Sequence, residues 1–203
     1  MLRVRHAAAA LTIVACAGAG STIPSTPSAR GELSRMRAFY SSAPEYHDEG
    51  TARAERDEVD VRFVTQFRRA EGVSFVASSP DGSQARLLGT LERGRVVDVD
   101  GAQQGRLTDL AASLSGTSRL SARIIPPMLF GVDFCECLDS PDARFAGVEV
   151  IRGRTVHKIL VGTPPDRVLV FWIDAEDGRL MRLRRDPGAT ERAPRVFIEY
   201  LRR

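Results

Sequence analysis

Lysine, histidine, cysteine and aromatic residues are all scarce in this sequence, and each shortage narrows what the chain can do. Lys158 is the only lysine among 29 cationic residues. The arginines are spread along the chain instead of clustering into a stripe. They reflect base composition, not a phosphate-tracking surface, and no nucleic-acid partner is expected. The formal charge is +3, and it falls to +1 once the two arginines Arg3 and Arg5 leave with the leader described below. Of the three histidines, His47 and His157 lie outside that leader, and no Gly-x-Ser-x-Gly or similar nucleophile signature accompanies either. His47, beside Asp48 and Glu49, therefore reads as a solvated loop histidine, and His157 as an ordinary strand residue. The chain is expected to be no enzyme and to need no cofactor. Cys135 and Cys137 offer two sulfurs in a Cys-x-Cys spacing with no second pair nearby, which is weak for zinc, so no metal site is expected. Outside the leader no apolar run approaches the ~20 residues of a membrane-spanning helix.

What is present begins with an address. Arg3 and Arg5 form a positive n-region in MLRVRHAAAALTIVACAGAG, and Ala7 to Ala15 form a short apolar h-region. Ile13-Val14-Ala15-Cys16 resembles a bacterial lipobox, in which Cys16 is acylated and becomes the first residue of the mature chain. Cleavage after Ala17 or Ala19 by the ordinary signal peptidase is the competing processing, and it would yield a soluble periplasmic or secreted protein. Several acyl chains on Cys16 would anchor stably, where one alone binds only marginally. In lipoproteins of this type, Asp after the acylated cysteine favours the inner membrane. Ala17 stands here, so periplasm-facing attachment to the outer membrane is expected. Residues 1–15 then form a lipoprotein-type signal peptide and 16–30 a Ser/Thr/Pro-rich tether. The folded domain is expected over 31–203, beginning near Gly31.

The body is 43% hydrophobic and 27% charged over 203 residues in all, which suits one globular domain. Leu33, Met36, Phe39 and Tyr40 recur at helical spacing in GELSRMRAFYSS, and the helix should stop before Pro44. The pattern then switches to period two. EGTARAERD reads as a polar strand at a sheet edge. DVRFVTQFRR places Val61, Phe63, Thr65 and Phe67 on one face. GVSFVASS, ARLLGTLE and RVVDVDG continue the strands, with Pro80-Asp81-Gly82 and Arg93-Gly94 as turns. RLTDLAASLSG interrupts them as a helix with Leu107, Leu110, Ala111 and Leu114 on one stripe. A dense apolar loop follows, ARIIPPMLFG, whose Pro-Pro is expected to forbid regular helix. Strands resume at about 144–151, 154–162, 167–174, 179–185 and 195–201. The expected class is mostly β with some α. It is a curled antiparallel half-barrel of about 9–11 strands, with an N-terminal helix and a helical lid insertion.

Four stretches carry a resemblance: MRAFYSSAPEYHDEG (36–50), VRFVTQFRRAEGVSF (61–75), IIPPMLFG (124–131) and VFWIDAEDGRLMRLRR (170–185). Together with the element order, they resemble the LolA/LolB lipoprotein carrier and receptor superfamily, and more closely a set of uncharacterised periplasmic proteins of that fold. The central strand GRVVDVDG departs from the pattern by lacking aromatics. The resemblance implies a non-enzymatic cell-envelope protein that takes a lipid or a lipoprotein acyl chain into a hydrophobic groove. It equally implies the alternative of an envelope sensor that binds a protein partner, because relatives regulate anti-sigma factors in that way. Phe63, Phe67, Phe75 and Trp172 are candidate groove residues, and Ile125, Met128, Leu129 and Phe130 candidate lid residues. An aromatic content of only 6% argues for a modest groove.

Two local expectations complete the reading. Asp174, Glu176 and Asp177 before Gly178 have turn chemistry, with the acids solvated at the rim and Gly178 at positive φ. Trp172 shares a face with Val168 and Val170. Cys135 and Cys137 are candidates for a local disulfide, although on a strand a Cα separation near ~7 Å would put the bridge at its limit, leaving reduced or separately buried thiols, or a redox or partner-linking role, as the alternatives.

Overall fold

A computed structural model describes residues 27–55, 60–135 and 137–201, so the signal peptide, Cys16 and most of the tether lie outside the described residues. Helix α1 spans Ala29–Ser42. It begins two residues before the expected boundary, because Ser28 Oγ accepts the Gly31 amide at 3.1 Å and caps the first turn. Its buried stripe is Leu33, Met36 and Tyr40.

Six strands follow: β1 (Glu45–Ala54), β2 (Val61–Arg68), β3 (Gly72–Ser78), β4 (Gln84–Gly89), β5 (Gly94–Asp98) and β6 (Gly101–Gly105). After an insertion come β7 (Arg144–Ile151), β8 (Arg154–Val161), β9 (Val168–Asp174), β10 (Leu180–Asp186) and β11 (Val196–Leu201). They form one eleven-stranded sheet in the order β6-β5-β4-β3-β2-β1-β11-β10-β9-β8-β7, with each neighbouring pair antiparallel. Strand β6 was not legible beforehand. Gly101-Ala102-Gln103-Gln104-Gly105 is exposed throughout and carries no alternation to read.

Strand β1 corrects the expectation of an edge. It pairs with β2 on one side and β11 on the other, at the middle of the sheet. Its inward residues are small beyond Asp48 because its neighbours fill the space above them. Gly50 lies opposite both Phe63 and Tyr200, whose rings meet at 5.5 Å across it. A Cβ on Gly50 would stand 2.2 Å from the Phe63 ring, inside any real contact distance, so this packing requires glycine.

The insertion joins the two edges. Chain leaving β6 at one edge must cross the whole sheet to start β7 at the other. It does so over one face as α2 (Leu107–Ser113), a 3₁₀ turn (Ser121–Arg123) and α3 (Ile125–Met128). Helix α3 corrects the view of Pro-Pro as a helix breaker. Pro126 and Pro127 occupy its first turn, where no N–H is needed for intrahelical bonding. The main core lies between this helical layer and the inner face of the sheet, and a smaller cluster occupies the outer face of β7–β10.

Candidate functional site

Three aromatics from β2 and β3 line the inner face. Phe63 and Phe75 stack at 5.8 Å, while Phe67, at the far end of β2, meets the Phe130 ring edge-on at 5.3 Å. From the lid, Ile124, Ile125, Met128 and Leu129 are all buried against this face, and Phe130 is half-buried. Seven of the eight groove and lid candidates thus come together in one layer.

Trp172 is a correction, because it does not join them. It packs on the outer face with Ile151, Val156, Val168, Val170 and Met181. Its Nε1 donates to Glu149 at 2.8 Å, and Lys158 and Arg182 lie over its ring. All seven residues of β9 are buried, Leu169, Phe171 and Ile173 inward and the Trp172 set outward. A strand buried on both faces gives no alternation from which to tell inner from outer.

The hairpin acids also need correction. Asp174 is not solvated but buried, paired with Arg154 and accepting the Glu176 amide at 2.8 Å. Burial works against its charge, but the Arg154 guanidinium and the turn amides hold its carboxyl below the usual range. Glu176 stays at the rim, and Gly178 has φ +81° as expected, its Cα facing the Arg35 backbone of α1.

Asp48 is the residue that sequence reasoning missed. It points inward from β1 and is buried, while His47 beside it is exposed. Tyr46 donates to its Oδ2 at 2.7 Å, but Oδ1 has no partner. Burial pushes its carboxyl up to about 6 despite the hydrogen bond from Tyr46. Burial likewise raises the Tyr40, Tyr46 and Tyr200 hydroxyls. The signal that existed was parity, since Asp48 falls in step with Tyr46 and Gly50. His157 is more than a plain strand residue, with Nδ1 3.1 Å from Glu32 on α1.

Beyond the lid, Cys135 and Cys137 are disulfide-bonded, with Cα atoms 5.0 Å apart. They lie in a bend and not on a strand, so the separation that would have opposed a bridge does not arise. Asp133 organises this bend, accepting the amides of Cys135 at 3.0 Å and Leu138 at 2.9 Å. The two sulfurs and Asp133 are close enough to suggest a metal cluster, but sulfurs held in a disulfide offer no thiolate to a cation.

The helical layer does not seal the interior. At the margin between the 3₁₀ turn, the cysteine bend and β9–β10, an opening of about 390 Å³ remains. Leu120, Ile124, Phe134, Leu169 and Leu183 form its apolar wall, and Cys135 stands at its rim. The chain enters this wall through Arg119 and Leu120, both at positive φ (50° and 72°) without being glycine. Each such residue costs about 1–2 kcal/mol, so local backbone energy is spent at the mouth. A larger cleft of about 1070 Å³ lies at the C-terminal end of α1, lined by residues of mixed polarity such as Tyr46, His47, Arg68 and Arg179.

No protein-family model matches the sequence, and no curated protein matches it either. Solved structures do. A chain of the Pseudomonas aeruginosa MucA/MucB complex matches with a TM-score of 0.52 and 12% identity, over 85% of this chain and 55% of that one, about half its length. The Mycobacterium tuberculosis lipoprotein LppX matches at 0.49 and 16%, over 85% and 93%. A LolA superfamily protein from Nitrosomonas europaea matches at 0.38 and 12%, over 87% and 93%. At these identities the likeness is one of architecture: the chain has a LolA-like fold.

Proposed function

We propose that this chain is a non-enzymatic, envelope-located binding protein that takes an acyl chain beneath its lid. The observation that carries the reading is the lid itself. Ile124, Ile125, Met128 and Leu129 cover the apolar inner face with aliphatic side chains, and an apolar-walled opening persists at their margin. At about 390 Å³ the opening is near the low end of the roughly 300–1,000 Å³ of small-molecule pockets. Each methylene that replaces a lid side chain there is worth about 0.8 kcal/mol relative to water. In this reading Cys16 carries the anchor, and the domain works at the periplasmic surface of the outer membrane. Carrier or receptor are its two modes.

The test is copurification. The full chain with Cys16→Ser, released gently from its own envelope, is extracted with organic solvent and analysed by mass spectrometry. Acyl lipid in near-stoichiometric yield is expected. A protein free of lipid would overturn the proposal.

One observation favours the second reading, a protein partner. Strand β7 is an edge of the sheet, and its Val148 and Val150 are 57% and 70% exposed. An unpaired edge with apolar side chains suits addition of a partner's strand. Crosslinking from position 148 in the native envelope would trap that partner. A lipid-free protein with such a crosslink would exchange the first reading for the second.

A further inference from the structure

The mouth of the lid opening is charged in one sense. Three of its lining residues are arginines: Arg123 from the end of the 3₁₀ turn, Arg167 just before β9, and Arg185 near the end of β10. One carboxylate, Glu191, answers two of them. It pairs with Arg185 through one oxygen and stands 3.4 Å from Arg167 through the other. Arg123 is exposed, and no lining residue among the described ones is acidic. Among the described residues, three guanidinium groups against one carboxylate leave a net +2 at the rim of an apolar-walled opening.

This arrangement is costly unless something uses it. Arg185 is largely buried, with 14% of its side chain exposed, on the same strand face as Leu183. Guanidinium groups crowded around one opening repel one another, and apolar walls lower the local dielectric and strengthen that repulsion. The same walls strengthen attraction to an anion, and arginine's planar fork suits carboxylate and phosphate oxygens in particular.

We infer that the ligand is an anionic amphiphile, whose carboxylate or phosphate sits on Arg123, Arg167 and Arg185 while its acyl chain enters between Leu120, Ile124, Leu169 and Leu183. This deepens the proposed function and rests on it, naming the head group that the lid site selects. Glu191 then acts as the resident counter-ion, holding Arg167 and Arg185 in place until an external anion arrives. Arg123 is the cation with least to release, and so the first contact.

Decanoate, decyl phosphate, decanol and decyltrimethylammonium share one chain and differ in head group. Their displacement of a naphthylamine reporter dye from the full chain carrying Cys16→Ser, at low salt, reads the preference directly. Decanoate and decyl phosphate should bind about tenfold more tightly than decanol, and the ammonium compound more weakly than decanol. The ratio of decanoate to decyl phosphate separates fatty-acid-like from phospholipid-like ligands. In Arg123→Gln/Arg167→Gln, both substitutions at solvent-facing side chains, the ratio of decanoate to decanol affinity should fall to about twofold or less. Equal binding of decanoate and decanol by the parent protein would overturn the head-group assignment and leave acyl-chain binding standing. Retention of the full advantage by the double variant would overturn the site. Failure of all four to displace the dye would overturn both this inference and the function on which it rests.

Discussion

At the scale of single residues, the structure holds two inward or buried carboxylates that respond oppositely to pH. Asp174 is stabilised as an anion by Arg154 and two backbone amides, so its contribution is present above the unfolded carboxyl range and lost as pH falls through the folded value. Asp48 is destabilised as an anion, its carboxyl raised from 3.8 to about 6 by burial. The native state therefore holds the Asp48 proton more tightly than the unfolded chain. Its contribution is fully present below about pH 4 and is lost as pH rises towards about 6, a change on the order of 3 kcal/mol. Asp48→Asn keeps an acceptor for the Tyr46 hydroxyl but removes the charge. Thermal melts from pH 4 to pH 7.5 should show the parent losing stability relative to the variant across that window. Parallel pH profiles would show that Asp48 ionises without cost in the native state. One unpartnered oxygen in an aromatic pocket therefore sets the most pronounced pH response expected of the core.

At the scale of elements, the lid is the part whose stability and function are opposed. Leu129 is fully buried against the sheet, and its truncation to Ala should cost about 2–5 kcal/mol in the closed protein. If lid and ligand compete for one apolar face, the same truncation raises the share of molecules able to accept a ligand, and apparent affinity rises with that share. Leu129→Ala should thus lower the unfolding midpoint in urea and bind the naphthylamine dye several-fold more tightly. A variant that loses stability and dye affinity together would identify the layer as a permanent core. Helix α3 is short, and its two prolines fix φ at the point where the chain must turn, so the lid is seated by side-chain burial more than by helix hydrogen bonds.

Across the whole molecule, the connection from β6 to β7 decides the architecture. The chain runs as a meander, yet β1 pairs with β11, so the earliest and latest strands meet at mid-sheet and the edges fall in the middle of the sequence. Those edges then have to be bridged by the lid. This order predicts a gradient in amide hydrogen exchange. Strands β1, β2, β10 and β11 lie at mid-sheet, whereas β6 is an exposed edge of five residues including two glycines. Under native conditions, Gly101–Gly105 should exchange fastest and Phe63, Ile198 and Leu183 slowest. Uniform protection from edge to centre would contradict the strand order.

The sequence by itself determined the periodicities and hence most elements. The stripe of Leu33, Met36 and Tyr40, the alternation through Val61, Phe63, Thr65 and Phe67, and the turn at Gly178 are local properties, readable because backbone geometry imposes them. The LolA-like fold was legible for the same reason, as an order of such segments. Tertiary structure alone decided which face of a doubly buried strand looks inward, and so put Trp172 outside the lid site and Leu169 and Phe171 within it. It alone decided that the polar strand β1 is central, because Phe63 and Tyr200 of neighbouring strands supply the bulk that Gly50 lacks. It also brought Arg123, Arg167 and Arg185 to one opening from three separate segments. Charge and burial at a point in space are sums over strands far apart in the chain, and no local pattern carries that sum.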